Sequence, residues 1–290
     1  MMQGNEEIEM SWKIVTDSGC DFKDIGVPEK DLAFQNVPLT LQIGSELFVD
    51  DEGLDVEAMM DTLYEKSVPS KSSCPSPDAF LRAYQGADNI IVITITGALS
   101  GSHNSAQIAK QMLLEEHPNV NIHVIDSLSA GGEIDLLVLE LKRLILSGLS
   151  FDQVLEAIER YQAKTRLLFI LEHVDNLVNN GRLNKLVGKV VGLLNIRMVG
   201  QASPEGTLDL LHKARGQKKA IQATVNEMLA AGYQGGKVMI THAGNEKACQ
   251  QLRDKLRDLF PKADIQFVNA SGLCSFYSER GGLLLGYETH

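Results

Sequence analysis

The chain has 290 residues, enough for about two domains of roughly 150 residues each. Its apolar content of 44% excludes pervasive disorder and a small disulfide scaffold. Its formal charge of −11 argues against nucleic-acid binding and against docking on an anionic membrane. The four cysteines lack C-x-x-C spacing, the acidic start resembles no secretion signal, and no apolar run is long enough to span a bilayer. We therefore expect a cytoplasmic protein without stable membrane insertion.

Strand and helix patterns alternate through the first half. Asp55, Ser76 and Ser150 are predicted to cap helices, the last in a capping box with Gln153. Two further helices are predicted at 102–116 and 133–147. The predicted strands are 12–16, 90–96 and 120–125. This order indicates a mainly parallel sheet flanked by helices.

The pattern changes after residue 163. The segments 208–213 and 193–200 are predicted to form an antiparallel hairpin around a Pro-Glu-Gly turn. Three more predicted strands cover 167–171, 237–241 and 264–268, with helices at 217–231 and from Asn245 to Phe260. The sequence thus predicts two α/β domains, 1–163 and 164–290, the second built on a mixed sheet.

Four clusters of small hydroxyl residues lie where a ligand could bind. Three follow predicted strands, and the fourth precedes a helix; they are 16–19, 94–102, 126–132 and 72–76. Ligands of open parallel sheets bind beyond the carboxyl ends of the strands, where helix N-termini favour anions. We place Ser100–Ser102 and Ser73–Ser76 at helix starts and interpret the clusters as an anion cradle. The alternative is that these residues only cap turns and helices.

The usual catalytic and metal-binding motifs are absent from the sequence. There is no G-x-S-x-G elbow, phosphate loop or H-E-x-x-H motif, and the seven histidines lack metal-ligand spacing. A basic run covers 212–219, which could be a solvated turn or a docking patch for an acidic partner. Three hypotheses stay open: a lipid carrier, an enzyme using the hydroxyl cluster around Ser100 for acyl or phosphoryl transfer, and a lipid-sensing interaction protein.

Six motifs in order resemble those of the DegV family of fatty-acid-binding proteins. They are S-S-C-P-S at 72–76, L-S-G-S-H-N-S-A at 99–106, V-I-D-S at 124–127, L-V-N-N-G-R-L-N-K at 177–185, L-L-N-I-R at 193–197 and A-R-G-Q-K-K-A at 214–220. The resemblance extends from about residue 13 to the end. It implies two α/β domains that enclose a long-chain fatty acid such as palmitate or oleate, with the second covering the acyl chain. It also implies presentation of that acid to a separate fatty acid kinase.

The resemblance implies a non-catalytic site without metal or cofactor. The carboxylate would be held by Ser73 and Ser100. The other expected ligand-binding residues are Ser72, Gly101, Ser102, Ser127, Arg197 and Tyr277. Two positions depart from the family pattern: Tyr277 stands where the family has the His of H-T-G-P-G, and Cys74 replaces a Gln.

Overall fold

The computed structural model of this chain describes residues 11–65, 68–183 and 195–290. Its first half is built on a four-stranded sheet in the order β2-β1-β6-β7, with every neighbouring pair parallel. The strands are β1 (Trp12–Asp17), β2 (Ala33–Val37), β6 (Asn89–Thr94) and β7 (Asn121–Asp126). The predicted parallel sheet is confirmed.

Helices cover both faces of this sheet, which explains the continuous apolar run of β6. Alternate side chains of a strand point to opposite faces. Val92 packs with α2 (Pro77–Tyr84) and α3 (Ser102–Glu116), whereas Ile91 and Ile93 pack with α4 (Gly132–Leu146) and α5 (Phe151–Gln162).

A small antiparallel sheet in the order β4-β3-β5 was not predicted from the sequence. It comprises β3 (Thr40–Ile43), β4 (Glu46–Val49) and β5 (Ser70–Ser73), and α1 (Val56–Glu65) lies between the last two in the chain. β5 corrects one expectation: Ser73 ends a strand instead of starting a helix, because β5 pairs with β3. The helix cap is Ser76, whose hydroxyl accepts the Ala79 N–H at 3.2 Å.

The second half is built on a six-stranded sheet in the order β10-β9-β8-β13-β11-β12. Most neighbours are antiparallel, but β11 and β12 are parallel, so the predicted mixed sheet is confirmed. The strands are β8 (Thr165–Leu171), β9 (Ile196–Ala202), β10 (Leu208–Arg215), β11 (Val238–His242), β12 (Ile265–Asn269) and β13 (Leu283–Glu288). The helices within its described residues are α6 (Asp175–Asn179), α7 (Gln217–Ala230), α8 (Glu246–Leu259) and α9 (Gly272–Ser278).

The predicted hairpin of β9 and β10 is confirmed, although residues 193 and 194 of its expected first strand lie outside the described residues. The predicted capping box of Ser150 and Gln153 and the predicted cap at Asn245 are also confirmed. β2, α6, α9 and β13 were not predicted. In the described part of the chain, no helix has the length and apolar character needed to cross a bilayer.

The helix α4 joins the two halves because it packs on both sheets. Gly132, at its first turn, lies so close to β11 that an added Cβ would sit 2.3 Å from the Met239 carbonyl oxygen. Gly286 of β13 lies equally close to α4, since an added Cβ there would sit 2.3 Å from the Gly132 carbonyl oxygen. Only glycine fits at these two positions, and the contact fixes the second sheet against the first half.

Candidate functional site

An apolar cavity lies between the two halves. The space free of protein atoms, including its open mouth, is about 680 Å³. The first half contributes Leu39, Ser72, Ile95, Leu99, Ser100 and Ala130. The second half contributes Leu167, Phe169, Leu171, Leu177, Arg182, Leu208, Leu273, Cys274, Tyr277, Ser278 and Leu284.

One side of the cavity is a surface of β8, which we call the apolar floor. It consists of Leu167, Phe169 and Leu171, alternate residues that point to the same face of the strand. The intervening Leu168 and Ile170 point to the opposite face, where they pack under α7 and α8. The three floor residues are each about 2% exposed, so β8 supplies a dry surface along the cavity.

The cavity lining includes four polar residues that we together call the polar end: Ser72, Ser100, Arg182 and Tyr277. The Ser278 hydroxyl also belongs to the lining and is buried without a partner among the described residues. The Ser72 hydroxyl lies 2.8 Å from the Tyr277 hydroxyl, and either oxygen can donate the hydrogen bond. Ser72 belongs to β5 and Tyr277 to α9, so this bond joins the two halves across the cavity.

Arg182 brings a positive charge to the polar end. It follows α6, and its Nε donates to the Leu99 carbonyl oxygen at 3.2 Å, while Nη1 donates to the Asn180 carbonyl oxygen. A guanidinium has five N–H donors, so these two bonds orient the group without exhausting it. Among the described lining residues Arg182 is the only charged one, which makes the cavity suitable for an anionic group.

Ser100, Gly101 and Ser102 form the entry to α3. The Ser100 hydroxyl lines the cavity and accepts the Ser102 N–H at 3.3 Å. Gly101 is held close to Cys74, since an added Cβ would lie 2.9 Å from the Cys74 sulfur. Ser102 is fully buried beside Asp17. Burial raises the pKa of Asp17 to about 6, and the Ser102 hydroxyl opposes this rise. Of the three, only Ser100 lines the cavity.

Three predicted site residues lie away from the cavity. Ser73 is exposed, because it follows Ser72 in β5 and therefore points to the other face of the strand. The Ser127 hydroxyl is bonded within its own turn: it accepts the Ser129 N–H at 3.0 Å and donates to the Ser129 carbonyl oxygen at 3.0 Å. Arg197 pairs with Glu172, with Nη2 and Oε1 2.5 Å apart. The structure thus brings together Ser72, Ser100 and Tyr277 of the predicted set.

Arg182 was missed as a site residue, although a signal for it was present. It lies in the G-R-L of the fourth family motif, and the sequence offered Arg197 as an alternative cation. The sequence pattern did not show the short helix α6, which lines the cavity through Leu177 and is followed by Arg182.

Nothing within the described residues activates Ser100 as a nucleophile. Its hydroxyl accepts a backbone N–H, and no histidine or carboxylate contacts it there. The nearby His103 faces Thr94, with Nδ1 and Oγ1 3.3 Å apart. A different group, His173, Asp175 and Glu279, has potential metal-ligand atoms within 4.8 Å of one another. The Glu279 carboxylate already accepts the Asn176 N–H at 3.0 Å, and this group lies outside the cavity.

The comparisons with known proteins agree with this geometry. A family model described as "Uncharacterised protein, DegV family" matches residues 11–289. The chain belongs to the DegV family. A DegV domain-containing protein of Streptococcus pyogenes serotype M1 is 66% identical over 279 residues, which cover 96% of this chain and 100% of the relative.

Solved structures of other DegV-type proteins share the fold. The Streptococcus pneumoniae Fatty Acid Kinase (Fak) B3 protein, crystallised loaded with linoleic acid, is 59% identical with a TM-score of 0.95, covering 97% of this chain and 100% of that one. A DegV family protein from Eubacterium eligens, loaded with heptadecanoic acid, is 38% identical with a TM-score of 0.93 over 97% and 100% of the two chains. The expected family and fold class are confirmed.

Proposed function

We propose that this DegV-family protein binds one long-chain fatty acid, such as palmitate or oleate, in the cavity between its two halves. The carboxylate lies at the polar end and the acyl chain lies along the apolar floor. One observation carries the proposal: the apolar cavity has a single charged lining residue among those described, Arg182, and its uncharged polar lining groups are mainly hydroxyls.

The energetics favour an amphipathic ligand of this kind. Burying a methylene gains about 0.8 kcal/mol, so about twelve of them supply roughly 10 kcal/mol before the costs of association. A carboxylate left unpaired in such a cavity would cost several kcal/mol. Arg182 and the hydroxyls of Ser72, Ser100 and Tyr277 offer the partners that remove this cost.

The relatives support this assignment, because the Fak B3 protein and the Eubacterium eligens protein were crystallised with fatty acids. We assign the headgroup to Ser72, Ser100, Arg182 and Tyr277. The predicted roles of Ser73, Gly101, Ser102, Ser127 and Arg197 remain predictions, and their positions make them less suited to direct contact with the carboxylate.

Mass spectrometry of lipid extracted from the purified, denatured protein tests the function. We expect close to one long-chain fatty acid per chain. An Arg182→Gln variant should retain less fatty acid, because the carboxylate loses its charged partner, whereas Arg160→Gln on the exposed surface of α5 should retain the wild-type amount. Absence of fatty acid in the wild-type extract, together with no uptake of added palmitate or oleate, would refute the proposal.

We further propose that the protein is a carrier that presents the fatty acid to a fatty acid kinase. This role is supported by the name of the Fak B3 relative and by the basic run at 212–219. Four of its side chains, Lys213, Arg215, Lys218 and Lys219, are exposed at the end of β10 and the start of α7. In a chain of net charge −11, this patch suits an acidic face on a partner.

Charge reversal tests the docking patch. The double variant Lys218→Glu and Lys219→Glu should weaken binding to the kinase of the same organism while leaving the amount of bound fatty acid unchanged. The matched control reverses Lys247 and Lys262, which are exposed elsewhere in the second half. Equal loss of kinase binding in both double variants would show that the run at 212–219 is not the docking surface.

Three further expectations belong to this proposal. The chain would divide into a domain at 1–163 and a domain at 164–290, which is supported by the change of sheet between β7 and β8. The protein would act in the cytoplasm, in keeping with its four free cysteines. It would need no cofactor besides its fatty acid.

A further inference from the structure

Two carboxylic acids, Asp21 and Asp135, meet in the interior beside the cavity. Asp21 follows β1, and Asp135 lies in the first turn of α4. The Asp21 N–H donates to Asp135 Oδ1 at 2.9 Å, and the Cys20 thiol donates to the same oxygen at 3.2 Å. Asp135 is fully buried and Asp21 is 9% exposed. We call these two residues the acid pair.

The acid pair forms no salt bridge in the described part of the chain. The charge of Lys23 opposes the rise in the pKa of Asp135, but its ammonium group bonds Asp50, with Nζ and Oδ1 3.1 Å apart. The Oδ2 atoms of both acids are buried without a hydrogen-bond partner there. The remaining groups that face the pair are uncharged: the thiols of Cys20 and Cys274, whose pKa values burial raises, and the hydroxyls of Thr241 and Ser271.

Asp21 of the acid pair also binds the start of α9. The Ser271 N–H donates to Asp21 Oδ1 at 2.6 Å. Asp50 accepts the next two N–H groups, from Gly272 at 3.0 Å and Leu273 at 2.9 Å. Two carboxylates from the first half therefore bind the N-terminus of a helix that belongs to the second. This helix carries Cys274, Tyr277 and Ser278, which line the ligand cavity.

We propose that Asp21 and Asp135 share a proton and act as positioning residues for α9, so that removal of this proton loosens the side of the ligand site that carries Tyr277. Two neighbouring buried carboxylates without a salt bridge repel each other when both are ionised, whereas one proton held by the pair removes this repulsion. The consequence for the ligand rests on the proposed function, but the consequence for α9 does not.

The direction of the pH dependence follows from burial. Burial raises the pKa of Asp21 to about 6, and burial followed by the charge of Asp21 raises the pKa of Asp135 well above its usual range. In the unfolded or locally open chain the pKa of each acid returns to about 3.9. The pair therefore stabilises the closed start of α9 fully below about pH 4, and this stabilisation declines as the pH rises through about 6 and beyond.

Hydrogen exchange of peptides covering 271–278 tests the positioning role in ligand-free protein. After correction for the intrinsic pH dependence of amide exchange, wild-type opening should increase by about tenfold between pH 5 and pH 8. Constant protection over this range would overturn the proposal without any variant. Asp135→Asn keeps the shape and removes one of the two ionisable groups, so its opening should increase less with pH than that of wild type.

Asp50→Asn is the matched control, because Asp50 also binds the start of α9 but already has Lys23 as its partner. This variant should raise the opening of 271–278 at every pH and keep the wild-type increase of opening with pH. An equal increase with pH in Asp135→Asn and Asp50→Asn would overturn proton sharing.

Dissociation of palmitate from the three proteins tests the link to the ligand site. Its rate should rise with pH in wild type and Asp50→Asn, but less in Asp135→Asn. Identical pH profiles for all three would overturn the link, even if exchange supports the acid pair. If wild type takes up no palmitate, the proposed function fails, and the exchange result stands by itself.

Discussion

The two halves of this DegV-family protein meet the cavity in different ways. The first half contributes mainly loops and strand ends, among them Ser100 at the entry to α3. The second half contributes the surface of a strand, the apolar floor of β8. A loop can place single polar atoms, whereas a strand surface provides a continuous dry area. Under the proposed function, the two halves have different tasks: the first half contributes to orientation of the headgroup, and the second provides most of the buried contact.

Tyr277 and Arg182 refine this division, since both come from the second half yet belong to the polar end. Each is bonded to the first half, Tyr277 through Ser72 and Arg182 through the Leu99 carbonyl oxygen. The polar end is therefore a junction between the halves. Variants can test whether the apolar floor and this junction differ in their effects on stability and on fatty-acid binding.

The largest expected effect concerns the floor. Phe169→Ala removes a buried ring, and we expect the free energy of unfolding to fall by about 3–5 kcal/mol, measured by urea denaturation. Phe80→Ala, in the core between the first sheet and α2, should cost a similar amount. Palmitate affinity should fall only in Phe169→Ala. A similar loss of affinity in both variants would mean that the floor has no special contact with the ligand.

An intermediate effect is expected at the junction. Tyr277→Phe removes the hydroxyl that bonds Ser72, and we expect about 1 kcal/mol of lost stability and severalfold faster fatty-acid release in stopped-flow measurements. Tyr84→Phe is the control, because its hydroxyl donates to the Ala106 carbonyl oxygen at 3.0 Å inside the first half. Faster release in Tyr84→Phe as well would show that general stability, and not the junction, controls the rate.

The smallest expected effect distinguishes two adjacent serines. Ser73→Ala changes an exposed side chain, so stability should stay within about 0.5 kcal/mol of wild type and fatty-acid affinity should not change. Ser72→Ala removes a hydroxyl from the polar end and should weaken binding of palmitate severalfold in calorimetry. The reverse order of these two effects would restore Ser73 as the headgroup residue.

The sequence predicted the elements with strong periodicity and clear caps. The helix at 102–116 and the cap at Ser76 agree with the structure because local patterns determine them. β5, with the sequence S-K-S-S, was missed because it has no apolar alternation and depends on pairing with β3. β13, with the sequence L-L-L-G-Y-E, was missed because its apolar run has only three residues before Gly286 and its place depends on pairing with β8 and β11.

The candidate site was predicted only in part for the same reason. Ser100 and Tyr277 follow from motif positions, and both line the cavity. Ser73 is the residue that the family resemblance implies, and the choice between it and Ser72 depends on which face of β5 each residue occupies, which the sequence did not show. Arg182 and Arg197 could be distinguished only by tertiary contacts, because Glu172 neutralises Arg197 away from the cavity.

β13 lies in the middle of the second sheet, although it is the last strand in chain order. It pairs antiparallel with β8 on one side and β11 on the other. Until residues 283–288 are synthesised, β8 and β11 each lack one of their two partner strands, and α4 lacks the close contact at Gly286. The cavity therefore cannot be completed during synthesis of the earlier residues, and premature termination before residue 283 should yield a chain without a closed ligand site.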